Sequence, residues 1–417
     1  MRIKRDLYLN RLISRKNNGL IKIVTGVRRC GKSYLLFELF HEYLLDNGVD
    51  ESHIIEVALD DRTNKRLRDP DNMLDYIKNM IQDKDTYYII LDEVQLLDEF
   101  EDVLNSLLHI RNADVYVTGS NSRFLSSDVI TEFRGRGDEI RVHPLSFREY
   151  TSAYQGSVDE AWEEYYTYGG LPLILTRKED EEKSEYLISL FQKVYLSDIV
   201  ERHRIANTEE LNELVDILSS SIGSLTNPLK LSNTFKSMKG KSLSDKTINQ
   251  YIDHLLDAFL VSKAVRYDIK GKKYINSPAK YYFEDVGLRN ARLNFRQTEE
   301  NHIMENIIYN ELRIRGYRVD VGVIEKYEKD ESGKTVRKVL EVDFIATKGS
   351  EKYYLQSAFA LPTPEKQAQE ERPLALIGDS FKKIIIVKDN IKLRRNETGI
   401  VTMGIRQFLL DEDSLRL

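Results

Sequence analysis

The 417-residue chain has a single cysteine, Cys30, so no intramolecular disulfide can form and stability must come from packing. There is one tryptophan, and proline is scarce at 8 residues. No stretch approaches the roughly 20 apolar residues that a membrane helix needs. The basic N-terminus, MRIKRDLYLNRL, lacks the apolar centre of a secretory signal. These absences predict a cytoplasmic protein without a membrane partner. A net charge of -6 provides no global attraction to nucleic acid, although charge is unevenly spread. Segment 179–185 is acidic, whereas 230–246 and 263–281 are basic. A hydrophobic fraction of 41% is enough to build cores, and the length implies two to three domains.

Residues 5–17 read as a short amphipathic helix. Apolar runs follow at 20–25, 54–59, 87–91, 115–119 and 139–142, most of them separated by helical patterns, of which 98–111 is the clearest. Apolar strands alternating with helices predict a parallel sheet covered on both faces. The expected fold class is α/β: a P-loop NTPase sheet over 1–150, a helical lid or linker over 151–224, a winged-helix domain over 225–290 and an α/β nuclease-like domain over 291–417.

Gly26-Val27-Arg28-Arg29-Cys30-Gly31-Lys32-Ser33 fits G-x-x-x-x-G-K-[ST], between an apolar strand and a helix that opens through Tyr34. In such a loop, backbone N–H groups wrap phosphates and the glycines permit close approach. Lys32 would reach the β- and γ-phosphates of ATP, and the Ser33 hydroxyl would ligate Mg²⁺. Asp92, at the end of the strand 87–91, is the second expected Mg²⁺ residue, and Glu93 the group that polarises the attacking water. Asp60 and Asp61 are weaker alternatives. After the strand ending at Thr118, Ser120 and Asn121 are candidates for contacting the γ-phosphate or orienting water. Arg134 and Arg136 are candidates for an arginine finger, acting in cis or on a neighbouring copy in a homo-oligomer. Cys30, beside Lys32 and a helix N-terminus, is expected to carry a reactive thiol whose alkylation blocks nucleotide binding.

Farther along, Leu231, Phe235 and Met238 share one helical face. Ser244 caps a second helix whose inward residues are Ile248, Ile252, Leu255, Leu256 and Phe259, and two strands flank a basic turn at 268–271. Helix-turn-helix followed by a hairpin predicts a winged helix. Its exposed set for DNA is Lys246, Asn249 and Gln250 on the second helix and Lys270, Lys272 and Lys273 in the wing. Such modules also dock proteins, and both readings stay open. Glu305 on a helix and Asp343 ending an apolar run suggest the acidic residues of a nuclease. The expected Glu-x-Lys, however, reads Gln356-Ser357-Ala358, which predicts a site without catalysis. Lys366 is a candidate substitute for the missing lysine.

Together TGVRRCGKS (25–33), LDEVQ (91–95), TGSNSRFL (118–125), RGR (134–136), HPLSFREY (143–150), YGGLP (168–172), KYYFEDVGLRNA (280–291), EVDF (341–344) and YYLQSAFA (353–360) resemble a family over nearly the whole chain. It comprises bacterial and archaeal AAA-type ATPases with a C-terminal domain of unknown function related to the PD-(D/E)XK nuclease fold. The resemblance implies ATP binding at Lys32 and Ser33, with Mg²⁺ and water activation at Asp92 and Glu93. Three functions are compatible with it. The first is an ATPase whose turnover drives conformational switching on an unknown protein partner. The others are an ATP-regulated DNA-binding or DNA-processing protein, and a nucleotide-gated scaffold with negligible hydrolysis.

Overall fold

A computed structural model describes residues 2–119, 135–240, 243–296, 299–329 and 335–417, with nothing stated of the side chains of 238 and 239. Ser120, Asn121 and Arg134 therefore lie outside the described residues, as does the Met238 side chain. Two compact units result: 1–145 together with 171–173 and 257–259, and the remainder of the chain.

The first unit is built on five strands, β1 (Ile21–Thr25), β2 (Ile54–Ala58), β3 (Tyr87–Asp92), β4 (Ala113–Thr118) and β5 (Gly137–Arg141), in the order β2-β3-β4-β1-β5. Every neighbouring pair is parallel. Strands β1 and β3 are buried throughout their length, as an apolar run inside a two-faced sheet must be. One face packs Ile21, Ile23, Ile89, Leu91, Val115 and Val117 against the helices Pro70–Met80 and Phe100–Leu107. Lys22 interrupts the apolar run of β1 and is nevertheless fully buried, because Asp114 of β4 pairs with its ammonium. Parallel strands place all their C-terminal ends along one edge, so Thr25, Asp92 and Thr118 converge there. Between β1 and the π-helical stretch Leu35–Phe40, the phosphate loop turns into the short helix Lys32–Tyr34.

The second unit starts with helices and continues into an eight-stranded mixed sheet. Its strands are β6 (Val261–Asp268), β7 (Lys273–Phe283), β8 (Arg318–Lys329), β9 (Thr335–Lys348), β10 (Glu351–Ala358), β11 (Lys382–Val387), β12 (Arg394–Arg395) and β13 (Val401–Gly404), in the order β12-β13-β11-β10-β9-β8-β6-β7. The segments 151–224, 225–290 and 291–417 expected as domains contribute nearly all of this unit. The hairpin β6–β7 does not stand alone: β6 pairs parallel with β8 through Arg266, Tyr267 and Asp268, which extends the C-terminal sheet. Ahead of it run the helices Pro228–Lys239 and Asp245–Asp257, the latter beginning where Ser244 Oγ accepts the Thr247 amide at 3.1 Å.

Two sequence signatures interlock inside this unit. The helix Val158–Tyr168 ends at Gly169 (φ 76°), where a Cβ would stand 2.1 Å from Asp285 Oδ1. A Cβ on Gly287 would stand 2.0 Å from the Tyr168 carbonyl oxygen. The Gly170 amide donates to Asp285 Oδ2 at 2.7 Å, and the Leu288 amide donates to Oδ1 at 3.1 Å. Tyr168-Gly169-Gly170 and EDVG thus form one latch, whose carboxylate also caps the helix Val286–Arg292. Asp285 is buried, and burial raises its pKa to about 6 against the pull of three backbone donors, Gly170, Leu288 and Gly287.

Candidate functional site

The phosphate loop takes its shape from backbone conformations that few residues tolerate. Gly26 has φ 140°, Arg29 φ 64° and Gly31 φ 98°. At Gly26 a Cβ would stand 2.0 Å from the Val142 carbonyl oxygen, so only hydrogen fits. Beneath the loop, Arg5 Nη1 donates to the Cys30 carbonyl at 3.1 Å and Nη2 to the His143 carbonyl at 2.7 Å. This guanidinium, 3% exposed, fastens the chain's N-terminal segment to the loop. The Lys32 ammonium is buried and donates to the Gly26 and Val27 carbonyls at 3.0 and 3.1 Å. Phosphate oxygens would offer it stronger, charge-assisted partners at the same position.

Facing the loop is a connected set from two strand ends, β3 and β4, joined by Ser33 of the helix that follows the loop. Thr118 Oγ1 donates to the Asp92 carboxylate and accepts the Glu93 amide at 2.9 Å. The Ser33 hydroxyl also bonds Asp92. Burial raises the Asp92 pKa, while the bonds from Thr118 and Ser33 oppose the shift. Glu93 sits in the left-handed region (φ 52°), and the Gln95 amide nitrogen donates to its carboxylate. For a non-glycine residue that backbone is strained, and such strain gathers where a side chain must point one particular way. Ser33 and Asp92 supply hard oxygen ligands side by side, the donor set Mg²⁺ prefers.

The remaining candidates separate clearly. Asp60 lies close enough to raise the Asp92 carboxyl electrostatically, whereas Asp61 is exposed and spent on capping, accepting the Thr63 amide at 2.8 Å. Arg136 precedes β5, and its carbonyl accepts from Ile21 at the start of β1. It therefore lies at the opposite sheet edge from the loop, with Nη1 on Asn105 Oδ1 at 3.4 Å. In cis it does not meet the phosphate loop, which corrects that half of the expectation. The reactive-thiol expectation for Cys30 also falls: the side chain is wholly buried, with Sγ directed at the Val142 carbonyl at 3.4 Å rather than toward the phosphates. Thr118 as a bridge and Arg5 as a brace were missed. Only the placement of Thr118 at a strand end was a signal for either.

In the second unit, Glu305 and Asp343 do come together, on the helix Glu300–Ile314 and on β9. Between them stands Lys280 of β7, its Nζ 2.8 Å from Glu305 Oε1, 2.7 Å from Glu341 Oε1 and 3.6 Å from Asp343 Oδ1. The Tyr282 hydroxyl donates to Glu305 Oε1 at 2.6 Å, and the Ser357 amide to Asp343 Oδ2 at 2.8 Å. Gln356 Nε2 donates to Glu370 at 3.2 Å, and Lys366 pairs with the same Glu370 at 2.6 Å. Glu370 and Gln356 thus stand between Lys366 and Asp343, and Lys366 pairs with Glu370 rather than taking the position of the missing lysine. Lys270, Lys272 and Lys273 are exposed at the β6–β7 turn, as are Lys246, Asn249 and Gln250 on their helix. Among the described residues, no helix is long and apolar enough to cross a membrane.

Residues 18–151 match a family described as an AAA domain, and 159–299 match one described as a domain of unknown function (DUF8612). The chain is 34% identical over 391 residues to an uncharacterized protein of Haemophilus influenzae, covering 92% of this chain and 93% of that one. An uncharacterized protein of Methanocaldococcus jannaschii is 26% identical over 428 residues, covering 98% of this chain and 89% of its own. Among solved structures, the Aeropyrum pernix ORC1 protein in complex with DNA aligns at 13% identity, covering 73% of this chain and 94% of that one, with a TM-score of 0.27. At that score the alignment says nothing about what this chain binds.

Proposed function

Since the chain belongs to one family with the Haemophilus influenzae protein and carries an AAA-type P-loop domain, we propose that it binds ATP with Mg²⁺, hydrolyses it, and uses the cycle as a conformational switch on a protein partner. The carrying observation is the bonded set Ser33–Asp92–Thr118–Glu93 beside the loop lysine. The loop amides and Lys32 bind and orient the triphosphate, so that the γ-phosphoryl is held in line for attack. The Ser33 hydroxyl and the Asp92 carboxylate would hold Mg²⁺, which would supply charge neutralisation to the triphosphate. Glu93 orients the attacking water and takes up its proton as the water oxygen bonds to the γ-phosphorus and the bond to the bridging oxygen breaks, releasing ADP and phosphate.

The switching part of the proposal draws on the segment after the helix Val158–Tyr168. Leu171–Leu173 belong to the first unit, where a Cβ on Gly31 would stand 3.8 Å from Pro172. The preceding residue, Gly170, is bonded to Asp285 within the second unit. Pro172 is joined to Gly170 through Leu171 alone, so a shift at Pro172 has a short covalent path to the latch.

Hydrolysis by wild type beside Lys32→Ala and Glu93→Gln tests the proposal. Turnover in wild type alone, with Glu93→Gln still binding ATP, supports it. Tight ATP binding by wild type without turnover under any condition would turn the reading into the nucleotide-gated scaffold. A second reading, ATP-regulated DNA binding, is favoured by the exposed lysines of the β6–β7 turn. It requires salt-dependent duplex binding that weakens when Lys270, Lys272 and Lys273 are replaced.

A further inference from the structure

The carboxylate cluster of the second unit has the outline of a cation site. Glu341 and Asp343 are two residues apart on β9 and so share a face. The helix Glu300–Ile314 brings Glu305 to the same point. Asp343 Oδ2 is occupied by the Ser357 amide at 2.8 Å, which leaves Oδ1 turned inward. Glu305 and Asp343 are buried and Glu341 is about a third exposed, so carboxylates gathered this closely repel one another unless a cation stands between them or one takes up a proton.

A nuclease of the fold the sequence resembles would use a free metal there, and the residues present do not fit one. The centre is filled by the Lys280 ammonium, 2.7 Å and 2.8 Å from two carboxylate oxygens, which are charge-assisted hydrogen-bond lengths. The Lys280 side chain is 4% exposed, so no swing into solvent is needed to account for its position. The Tyr282 hydroxyl fills a further direction at Glu305. Divalent cations sit about 2.0–2.6 Å from their oxygen ligands, a space that the ammonium already claims.

We infer that Lys280 is a tethered substitute for a divalent cation: the carboxylates of Glu305, Glu341 and Asp343 form a metal seat that the ammonium closes, and removing the ammonium opens it. The wild-type cluster is thereby a permanent structural element, independent of metal supply. The seat accepts a hard divalent ion such as Mn²⁺ once the side chain that plugs it is shortened or made neutral.

The test is a Mn²⁺ titration of nucleotide-free, full-length protein, followed by the loss of the free-ion electron paramagnetic resonance signal and by the melting temperature. Wild type should show no Mn²⁺ binding that depends on Asp343. Lys280→Ala should bind one further Mn²⁺, gain several degrees of melting temperature from it, and lose both effects when Asp343→Asn is added. Lys280→Gln, nearly as long but uncharged, is the second variant for the case where Lys280→Ala does not fold. Wild-type binding abolished by Asp343→Asn would overturn the inference. So would a folded Lys280 variant without the extra ion, and so would failure of both variants to fold even in Mn²⁺, because a true seat would accept the metal in place of the ammonium.

Discussion

Thr118 Oγ1 donates its proton to the Asp92 carboxylate and accepts the Glu93 amide, so one hydroxyl orients both acidic residues of the phosphate site. The hydroxyl also offsets the burial that raises the Asp92 pKa. Thr118→Val keeps the shape and removes the bridge. The lost hydrogen bond to a charged group is worth about 1.5–3 kcal/mol. The variant should therefore lose about tenfold or more in kcat/KM for ATP and need more Mg²⁺ for half-maximal rate. A rate and Mg²⁺ dependence equal to wild type would show that the bridge does not hold the site.

The contrast between the two loop glycines gives a second expectation. Gly26→Ala must move the Val142 backbone, since its Cβ would stand 2.0 Å from that carbonyl oxygen, and φ is 140°. Strain of this kind costs about 1–3 kcal/mol from the backbone conformation alone. Gly31→Ala meets nothing closer than 3.8 Å and carries only the strain of φ 98°. Melting temperatures should fall farther for Gly26→Ala than for Gly31→Ala. The reverse order would contradict the loop geometry.

Cys30 was read from its neighbours in sequence as a reactive thiol, and its burial reverses the expectation. The side chain is 0% exposed and directed at Val142. Native protein should react with a thiol reagent only at the rate at which the loop opens, and denatured protein at once. Rapid labelling of the native state would show a loop held far less firmly than Arg5 and Val142 imply.

These outcomes mark what was readable along the chain. The phosphate loop, Asp92 and Glu93 were legible because a loop between strand and helix and an acid at a buried strand's end are local patterns. Strands β1 to β4 were legible for the same reason, as mainly apolar runs that single charged residues interrupt only at Lys22, Glu56, Asp92 and Asp114. Arg5, Thr118 and Lys280 were not, because each acts on partners 25 or more residues away in sequence. Glu305 and Asp343 could be singled out from their positions on helix and strand. Lys280 lay inside KYYF, where nothing local says that an ammonium will stand between carboxylates. Lys22 in the apolar run of β1 is the same case: its burial becomes intelligible only with Asp114 beside it.

The latch between Tyr168-Gly169-Gly170 and EDVG predicts an unusual pH dependence. Burial raises the Asp285 carboxyl from an ordinary 3.8 to about 6 in the folded protein. A carboxyl whose folded pKa is raised contributes its full stability below the unfolded value. That contribution falls as pH climbs through about 4 to 6, and levels off above. The change corresponds to about 3 kcal/mol over that window. Paired carboxylates elsewhere act in the opposite direction, so the comparison must be made against Asp285→Asn, whose amide does not titrate. Trp162, the chain's one tryptophan, is 3% exposed and lies in the helix that ends at Gly169, so its fluorescence reads unfolding of the second unit. Urea unfolding at pH 4.5 and pH 7 should show wild type losing stability with rising pH relative to Asp285→Asn. Equal pH dependence in the two proteins would mean that Asp285 is ionised throughout, with the Gly170, Gly287 and Leu288 amides outweighing burial.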